Sequence, residues 1–420
     1  MSALAVDRLG AGRDVHTEPA PPGVTVSTHQ LTTFDGAKVE GVLHTLDGAT
    51  TVVTLMHPRQ SVTHHPMIPL LLRSGVAVWT QGTRSPNNDI ALVHEQALLD
   101  AAAGHVFLRD NGFEAVLTFG HSGGGALSAF YIEQASLEPE LRLDVTPAGR
   151  PIALAGARMP VPDGAIFLAP HPGQGKVLLN CIDPAVIDES DPMSADPALD
   201  MYSPRNGFAP PPAPSRYPLD FLRAYRAAQR DRIARIDARA VELAAEASQA
   251  RTRFARTGDR DDRRASLAPR LITTYRTDAD PASVDPSIDP NDRHYGSLFG
   301  GRPDLVNYGL VGFGRLTTPD AWLSTWSANH SNAAFTRCAP GVRLPTLYLE
   351  FSGDQAALPG VSGGMFAALA AEDKTHHVVR GQHFGQPVAD GEPTGYAAAA
   401  VHVERWLADR FATAPPQKTR

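Results

Sequence analysis

The sequence has few cysteines and no long apolar run. Its two cysteines, Cys181 and Cys338, are too few for a disulfide framework and lack the paired spacing of a zinc or redox site, so we interpret both as small buried hydrophobic residues. No segment approaches the length of a membrane span, and residues 1–23 lack the apolar stretch of a signal peptide. We therefore expect a soluble protein of the reducing cytoplasm.

A net positive charge is also absent. The formal net charge of -7 gives no general attraction to nucleic acid or to an anionic membrane, so neither is an expected partner. The hydrophobic content of 42% and the charged content of 20% are ordinary for a globular protein. A chain of 420 residues is long enough for a large domain with an insertion, or for two domains, without disulfides or metals to stabilise it.

From Val24 onward, strand-like and helical segments alternate. Two alternating segments joined by Asp35-Gly36 predict an antiparallel hairpin. Buried strands separated by helical patterns are predicted at 50–56, 76–81, 115–119, 164–173 and 346–353. Because strands that alternate with helices need crossover connections, the sequence predicts an α/β protein with a mostly parallel sheet.

Residues 174–340 interrupt this alternation and are predicted to be an inserted cap. Residues 222–254 carry apolar positions every three or four residues, which indicates one long helix. Residues 216–276 contain fifteen arginines against eight acidic residues, and three interpretations stay open: a solvated helix face, a guide for anionic substrates, or a docking surface for a partner or a homo-oligomer. The predicted organisation is a flexible segment 1–23, a core of 24–173 and 341–412, the cap 174–340, and a flexible tail 413–420.

The motif G-x-S-x-G occurs between a predicted strand and a predicted helix, within AVLTFGHSGGG at residues 115–125. A buried strand precedes Ser122 and a helix follows it, which is the setting in which such a serine lies on a strained turn. Gly120 and Gly124 lack side chains, so the strand and the helix can approach each other closely. The helix start also directs free N–H groups at any oxyanion formed there. We predict that Ser122 is a nucleophile.

A serine nucleophile needs a base within hydrogen-bond reach and an acid that orients the base. His383 lies in a glycine-containing loop after a strand-like pair and is the predicted base. Asp354 directly follows the strand at 346–353 and is the predicted acid. Competing carboxylates and imidazoles are Glu350, Asp373, His376 and His377. We expect the two competing histidines to precede the last strand and to point away from the site.

With Ser122, Asp354 and His383 in this order, the chain resembles the α/β-hydrolase superfamily over most of residues 24–412. The resemblance implies the α/β-hydrolase fold: a mostly parallel sheet flanked by helices, with an antiparallel N-terminal hairpin and a large, mainly helical cap. It also implies a serine hydrolase that cleaves a carboxylic ester or related acyl compound through an acyl-enzyme, with no cofactor. Amidase, lactonase, carbon-carbon bond hydrolase, acyltransferase and non-catalytic ligand-binding roles remain alternatives.

The resemblance also implies an oxyanion hole, with one departure from the superfamily. The strand before the first helix often ends in His-Gly there, whereas here His57 precedes Pro58, which has no N–H. The implied donors are the backbone N–H groups of Gly123 and Arg59, with Gln60 as the alternative to Arg59. A merely structural His-Pro turn at 57–58 is the other interpretation. Candidate pocket residues for a small acyl substrate with an apolar part are His57, His121, Trp322 and Trp326, and packing in a core is the alternative for the two tryptophans. No metal site is expected, because the histidines lack ligand spacing.

Overall fold

The computed structural model describes residues 18–414. Of the segments predicted to be flexible, residues 1–17 and 415–420 lie outside this range. The strands are Thr25–Thr32 (β1), Lys38–Thr45 (β2), Thr51–Met56 (β3), Ala77–Gln81 (β4), Ala115–Ser122 (β5), Gly164–Pro170 (β6), Ile272–Thr273 (β7), Leu316–Thr317 (β8), Thr346–Gly353 (β9) and Lys374–Gln382 (β10). Eight of them form one sheet in the order β1-β2-β4-β3-β5-β6-β9-β10, and β7 pairs with β8.

The sheet is mostly parallel. β1 and β2 form an antiparallel hairpin, and β2 pairs with β4 in the antiparallel sense. The remaining neighbours in the sheet are parallel. Gly36, with φ of 86°, supplies the left-handed conformation that the hairpin turn needs. The predicted hairpin and the predicted parallel sheet are both confirmed.

Eleven helices are described within residues 18–414. Their bounds are Met67–Arg73 (α1), His94–Asp110 (α2), Gly123–Ala135 (α3), Gln174–Cys181 (α4), Leu219–Thr257 (α5), Arg260–Leu267 (α6), Pro303–Val306 (α7), Pro319–Ala321 (α8), Phe335–Cys338 (α9), Pro359–Ala368 (α10) and Gly395–Ala408 (α11). A π-helical turn, Trp322–Trp326, follows α8. No helix in this part of the chain has an apolar stretch long enough to cross a membrane.

Helices cover both faces of the sheet. One hydrophobic core contains residues of α2 and α3, such as Leu98 and Phe130, together with Phe167 of β6. The other contains residues of α1 and α11, such as Leu71 and Trp406. Every residue of β6 is buried, as expected for a parallel strand that is covered on both sides. Because these strands are parallel, their carboxyl ends lie at one edge of the sheet, where loops can bring distant side chains together.

The segment between β6 and β9 contains the predicted long helix, which the structure has as α5. Its inner face buries Tyr225, Ile233 and Ala240, and Ile233 and Ala240 belong to a hydrophobic cluster that also contains Trp322. Most of its arginines are exposed. Arg232 is an exception, because it is fully buried and its guanidinium forms a bidentate salt bridge with the Glu189 carboxylate, with contacts of 2.8 and 2.7 Å. The outer face of α5 is thus polar and solvated, whereas the inner face joins α5 to the rest of the insertion.

The last strand begins earlier than predicted. His376 and His377 were expected to precede it, but they lie within β10, whose pairing with β9 starts at Lys374 opposite Thr346. The polar run from 374 to 377 has no apolar alternation, so the strand here is defined by its neighbour in the sheet and not by its own pattern. The prediction for the two cysteines is correct for Cys338, which is buried, while Cys181 is only half-buried.

Candidate active site

Ser122 lies on a strained turn between β5 and α3. Its φ of 55° and ψ of -125° lie outside the regions that a residue with a side chain normally adopts. A Cβ on Gly120 would lie 2.6 Å from the backbone of Gly125, and one on Gly124 would lie 2.5 Å from the carbonyl oxygen of Met56. Both glycines are therefore required by the close approach of strand and helix, as the sequence predicted for this turn.

The structure brings the three predicted catalytic residues together. Nε2 of His383 lies 2.8 Å from Oγ of Ser122, and Nδ1 of His383 lies 2.9 and 3.0 Å from the two carboxylate oxygens of Asp354. Ser122 is 9% exposed, while Asp354 and His383 are 1% and 0% exposed. A carboxylate only accepts hydrogen bonds, so Nδ1 carries the proton and Nε2 can accept one from the serine.

Backbone groups hold the Asp354 carboxylate in place. Oδ1 accepts hydrogen bonds from the N–H groups of Ala356 at 2.6 Å and Ala357 at 3.0 Å. The amide of Asn291, within the insertion, donates to the carbonyl oxygen of Asp354 at 2.8 Å. The two backbone N–H groups orient the carboxylate toward His383, since a buried carboxylate needs several donors, while Asn291 holds the backbone of the same residue.

The competing residues lie elsewhere. Glu350 faces His376 within the sheet, at 3.3 Å from its Nε2. Asp373 is exposed and pairs with Arg410 at 2.8 and 2.7 Å. The ring of His377 stacks on an imidazole of α11, with 4.1 Å between ring centroids. None of these groups is hydrogen-bonded to Ser122 or to His383 in the described residues.

A chain of histidines ends at the backbone of His383. The N–H of Met67 donates to Nδ1 of His65 at 3.2 Å, Nε2 of His65 lies 3.1 Å from Nδ1 of His121, and Nε2 of His121 lies 2.9 Å from the carbonyl oxygen of His383. Because a carbonyl only accepts, each imidazole in the chain donates through Nε2. Burial lowers the pKa of His65 to about 4 and the pKa of His121 well below its usual value, so both stay neutral and hold the loop that carries His383.

The predicted oxyanion donor Arg59 is engaged elsewhere. Its backbone N–H donates to Nδ1 of His57 at 3.1 Å, and the N–H of Gln60, the alternative donor, contacts the same atom at 3.0 Å. The side chain of Arg59 forms a bidentate salt bridge with Asp89, with two contacts of 2.7 Å. Its guanidinium carbon also lies 4.8 Å from the centroid of the Trp326 ring, in a cation–π contact. Since the turn after β3 folds back onto its own histidine, both N–H groups point at His57.

The predicted pocket tryptophans are packed inside the insertion. Trp322 and Trp326 are both 0% exposed and belong to the hydrophobic cluster that includes Ile233 of α5. The indole N–H of Trp322 donates to Asp237 of α5 at 2.8 Å. The structure therefore places these aromatic rings in a core, which was the alternative interpretation, because a buried indole that has found an acceptor is a packing element.

An open cavity of about 440 Å³ is lined by residues from the carboxyl ends of β3 and β5 and from the loop after His383. His57 and His121, both predicted pocket residues, contribute to its wall. So do Phe384 and Tyr396. His121 directly precedes Ser122 and Phe384 directly follows His383, whereas Ser122, Asp354 and His383 themselves are not among the described residues that line the cavity. Its size is in the range of pockets that hold small organic molecules.

Two residues near the site were missed by the sequence reasoning, His171 and Gln174. A Cβ on Gly123 would lie 2.4 Å from Nε2 of Gln174, 2.8 Å from Nε2 of His57 and 2.9 Å from Nε2 of His171. The available signal was that the His-Pro pair at 171–172 directly follows a buried strand, as the pair at 57–58 does. Within residues 18–414, no group of three or more metal-ligating side chains is arranged to hold a metal ion.

The strand order, the strand-serine-helix turn and the loops at one sheet edge define the class of protein: the chain has the α/β-hydrolase fold. No protein-family model matches the sequence, and no curated protein matches it.

Three solved structures illustrate what the chain is similar to. The α/β hydrolase GrgF from a Penicillium species has a TM-score of 0.49 at 11% identity, with 92% of this chain and 99% of that chain covered. The esterase Pf2001 of Pyrococcus furiosus has a TM-score of 0.45 at 11% identity, with 94% and 98% covered. An α/β-fold hydrolase from Bacillus anthracis has a TM-score of 0.39 at 9% identity, with 92% and 99% covered.

Proposed function

We propose that the protein is a serine hydrolase that cleaves a carboxylic ester or related acyl compound through an acyl-enzyme. The observation that carries this proposal is the continuous hydrogen-bonded series from Ser122 through His383 to Asp354. A serine hydroxyl is a weak nucleophile at neutral pH, and an adjacent oriented imidazole is what activates it. A strained serine with both partners in reach supports catalysis over simple ligand binding, which needs none of the three.

The proposed reaction has two halves. Nε2 of His383 takes the hydroxyl proton as Oγ of Ser122 attacks the acyl carbonyl carbon, and the same nitrogen then gives this proton to the leaving group as the carbon–leaving-group bond breaks. In the second half, water gives a proton to His383, attacks the acyl-enzyme and releases the acid, and the proton returns to Ser122. Asp354 stabilises the imidazolium that forms in each half.

The tetrahedral intermediate needs donors for its oxyanion. The N–H of Gly123 is the first of α3, and the first N–H groups of a helix have no partner inside the helix. The helix dipole also favours negative charge at this end. We assign this N–H to the oxyanion and the cavity beside His121 and Phe384 to one part of the substrate. The insertion 174–340 acts as the cap in this proposal, and a cytoplasmic location and self-association remain predictions.

Labelling with a fluorophosphonate probe tests the proposal. We expect wild-type protein to be labelled at Ser122 and to hydrolyse p-nitrophenyl esters, and the Ser122→Ala variant to lose both reactions because the nucleophile is gone. Ser136→Ala is the matched control, since Ser136 is an exposed serine at the other end of the same helix. Unchanged ester hydrolysis in Ser122→Ala would refute the proposal. A panel of esters, lactones and anilides would then separate the related activities.

A further inference from the structure

Two His-Pro turns flank the nucleophile strand. β3 ends at Met56 and is followed by His57-Pro58, and β6 ends at Pro170 and is followed by His171-Pro172. β3 and β6 are the two neighbours of β5 in the sheet, both parallel to it. The two turns therefore stand on opposite sides of the β5 carboxyl end, where Ser122 lies.

Each turn folds onto its own histidine in the same way. Proline has no N–H, so the next residue donates instead: the N–H of Arg59 contacts Nδ1 of His57 at 3.1 Å, and the N–H of Gly173 contacts Nδ1 of His171 at 3.0 Å. A nitrogen that accepts a hydrogen bond carries no proton, so each neutral ring carries its proton on Nε2. Both imidazoles are thereby fixed as Nε2–H donors, and neither offers Nε2 as a metal ligand.

These donors converge in front of Gly123. The point that a Cβ on Gly123 would occupy is within 2.9 Å of Nε2 of His57, His171 and Gln174. His57 is 7% exposed, His171 is 4% exposed and Gln174 is 3% exposed, so the donors lie in a largely dry space. Burial lowers the pKa of His171 to about 3, which keeps its ring neutral at ordinary pH.

We propose that the Nε2–H groups of His57 and His171 donate to the oxyanion of the tetrahedral intermediate, beside the backbone N–H of Gly123. The proposal rests on the proposed function. It explains why proline is tolerated after β3, because a side-chain donor replaces the backbone donor that the turn does not offer. Neutral imidazoles suit the role, since they stabilise developing negative charge without a proton transfer of their own. Gln174 is a third donor at the same space, and Gly123 is required to leave the space open.

Paired substitutions at His171 separate the donor from the acceptor. Asparagine places an oxygen near the Nδ1 position and can still accept from Gly173, but it has no group at Nε2, whereas glutamine places an N–H₂ near Nε2. We expect His171→Asn and His57→Asn each to slow fluorophosphonate labelling of Ser122 about 100-fold, and His171→Gln to regain much of the loss. His330→Gln is the matched control, because His330 is exposed and lies in the insertion.

Four further results decide the matter. The slowed variants are expected to keep the wild-type pH midpoint for labelling, because neutral donors do not titrate with the reaction. Nitrogen-15 NMR of the wild-type rings is expected to show protonated Nε2 and unprotonated Nδ1 in both histidines, and the opposite tautomer would overturn the proposal. If wild-type protein is labelled and folded asparagine variants react at the wild-type rate, this inference fails and the proposed function stands. If wild-type protein is not labelled at all, the proposed function itself fails.

Discussion

Replacing Asp354 by asparagine changes which nitrogen of His383 carries the proton. Oδ1 of Asp354 accepts two backbone N–H groups, from Ala356 and Ala357, so the amide oxygen of an asparagine must take this position. Its N–H₂ then replaces Oδ2, which lies 3.0 Å from Nδ1 of His383. Nδ1 of His383 would then lie next to the amide oxygen at the Oδ1 position and next to the N–H₂ at the Oδ2 position. We expect the N–H₂ to donate to Nδ1, which moves the ring proton to Nε2. An Nε2 that carries a proton cannot take one from Ser122.

The expected loss is large. When the base is held in the wrong tautomer, kcat falls by about 10⁴, which corresponds to about 5 kcal/mol in the activation free energy. The substitution keeps the size of the side chain and both backbone hydrogen bonds, so we expect the thermal unfolding temperature to change little. A loss of kcat without a loss of folded protein would therefore report the tautomer alone.

Steady-state hydrolysis of a p-nitrophenyl ester measures this effect. Asp373→Asn serves as the matched control, since it makes the same chemical change in an exposed carboxylate that pairs with Arg410 on the surface, and it is expected to behave as wild type. A kcat for Asp354→Asn within about tenfold of wild type would refute the reasoning. Such a result would mean that another group orients His383.

The remaining predictions concern packing and pH. Gly124→Ala places a Cβ about 2.5 Å from the carbonyl oxygen of Met56, so we expect unfolding free energy to fall by about 2 kcal/mol and esterase activity to drop, as calorimetry and kinetics would show. Trp322→Phe leaves a carboxylate oxygen of Asp237 without its donor, so we expect the free energy of unfolding in urea to fall by about 1 to 3 kcal/mol. KM should stay unchanged, and a raised KM would instead support a contact between Trp322 and the substrate. Burial lowers the pKa of His105 from an ordinary 6.5 to about 3. As the pH falls from 6.5 toward 3, the imidazole is therefore protonated in the unfolded chain but not in the folded protein, and the free energy of unfolding decreases. His105→Gln should therefore shrink the loss of unfolding free energy between about pH 7.5 and about pH 5 by about 2 kcal/mol, and an unchanged loss would count against a neutral buried His105.

The elements that could be predicted were those with a strong local pattern. The buried strand at 115–119 and the seam at 222–254 correspond to β5 and α5, since apolar periodicity reports directly which residues face a core. The start of β10 was missed because its polar residues 374–377 are in a strand only through pairing with β9. The two tryptophans could be recognised as residues of the insertion, but which way their rings face depends on α5 packing against them.

The residues around His57 and Gly123 show the same difference between what local sequence predicts and what only the fold decides. The sequence excludes Pro58 as a donor, because this follows from covalent structure alone. It does not say where the N–H of Arg59 points, since this depends on how the ring of His57 is oriented by the surrounding fold. His171 carried no signal of its own beyond a repeated dipeptide. Its relation to Gly123 exists only once β3, β5 and β6 lie side by side.

The sequence by itself determined the α/β class, the strained turn around Ser122 and the order of Ser122, Asp354 and His383, because backbone sterics and short-range periodicity act within a few residues. The tertiary structure decided which imidazole nitrogen carries each proton, which histidines converge on Gly123 and which aromatic rings are buried in the insertion. These outcomes depend on contacts between segments that are distant in the chain, and the tautomer of a buried histidine depends on the donor or acceptor that the fold places beside it.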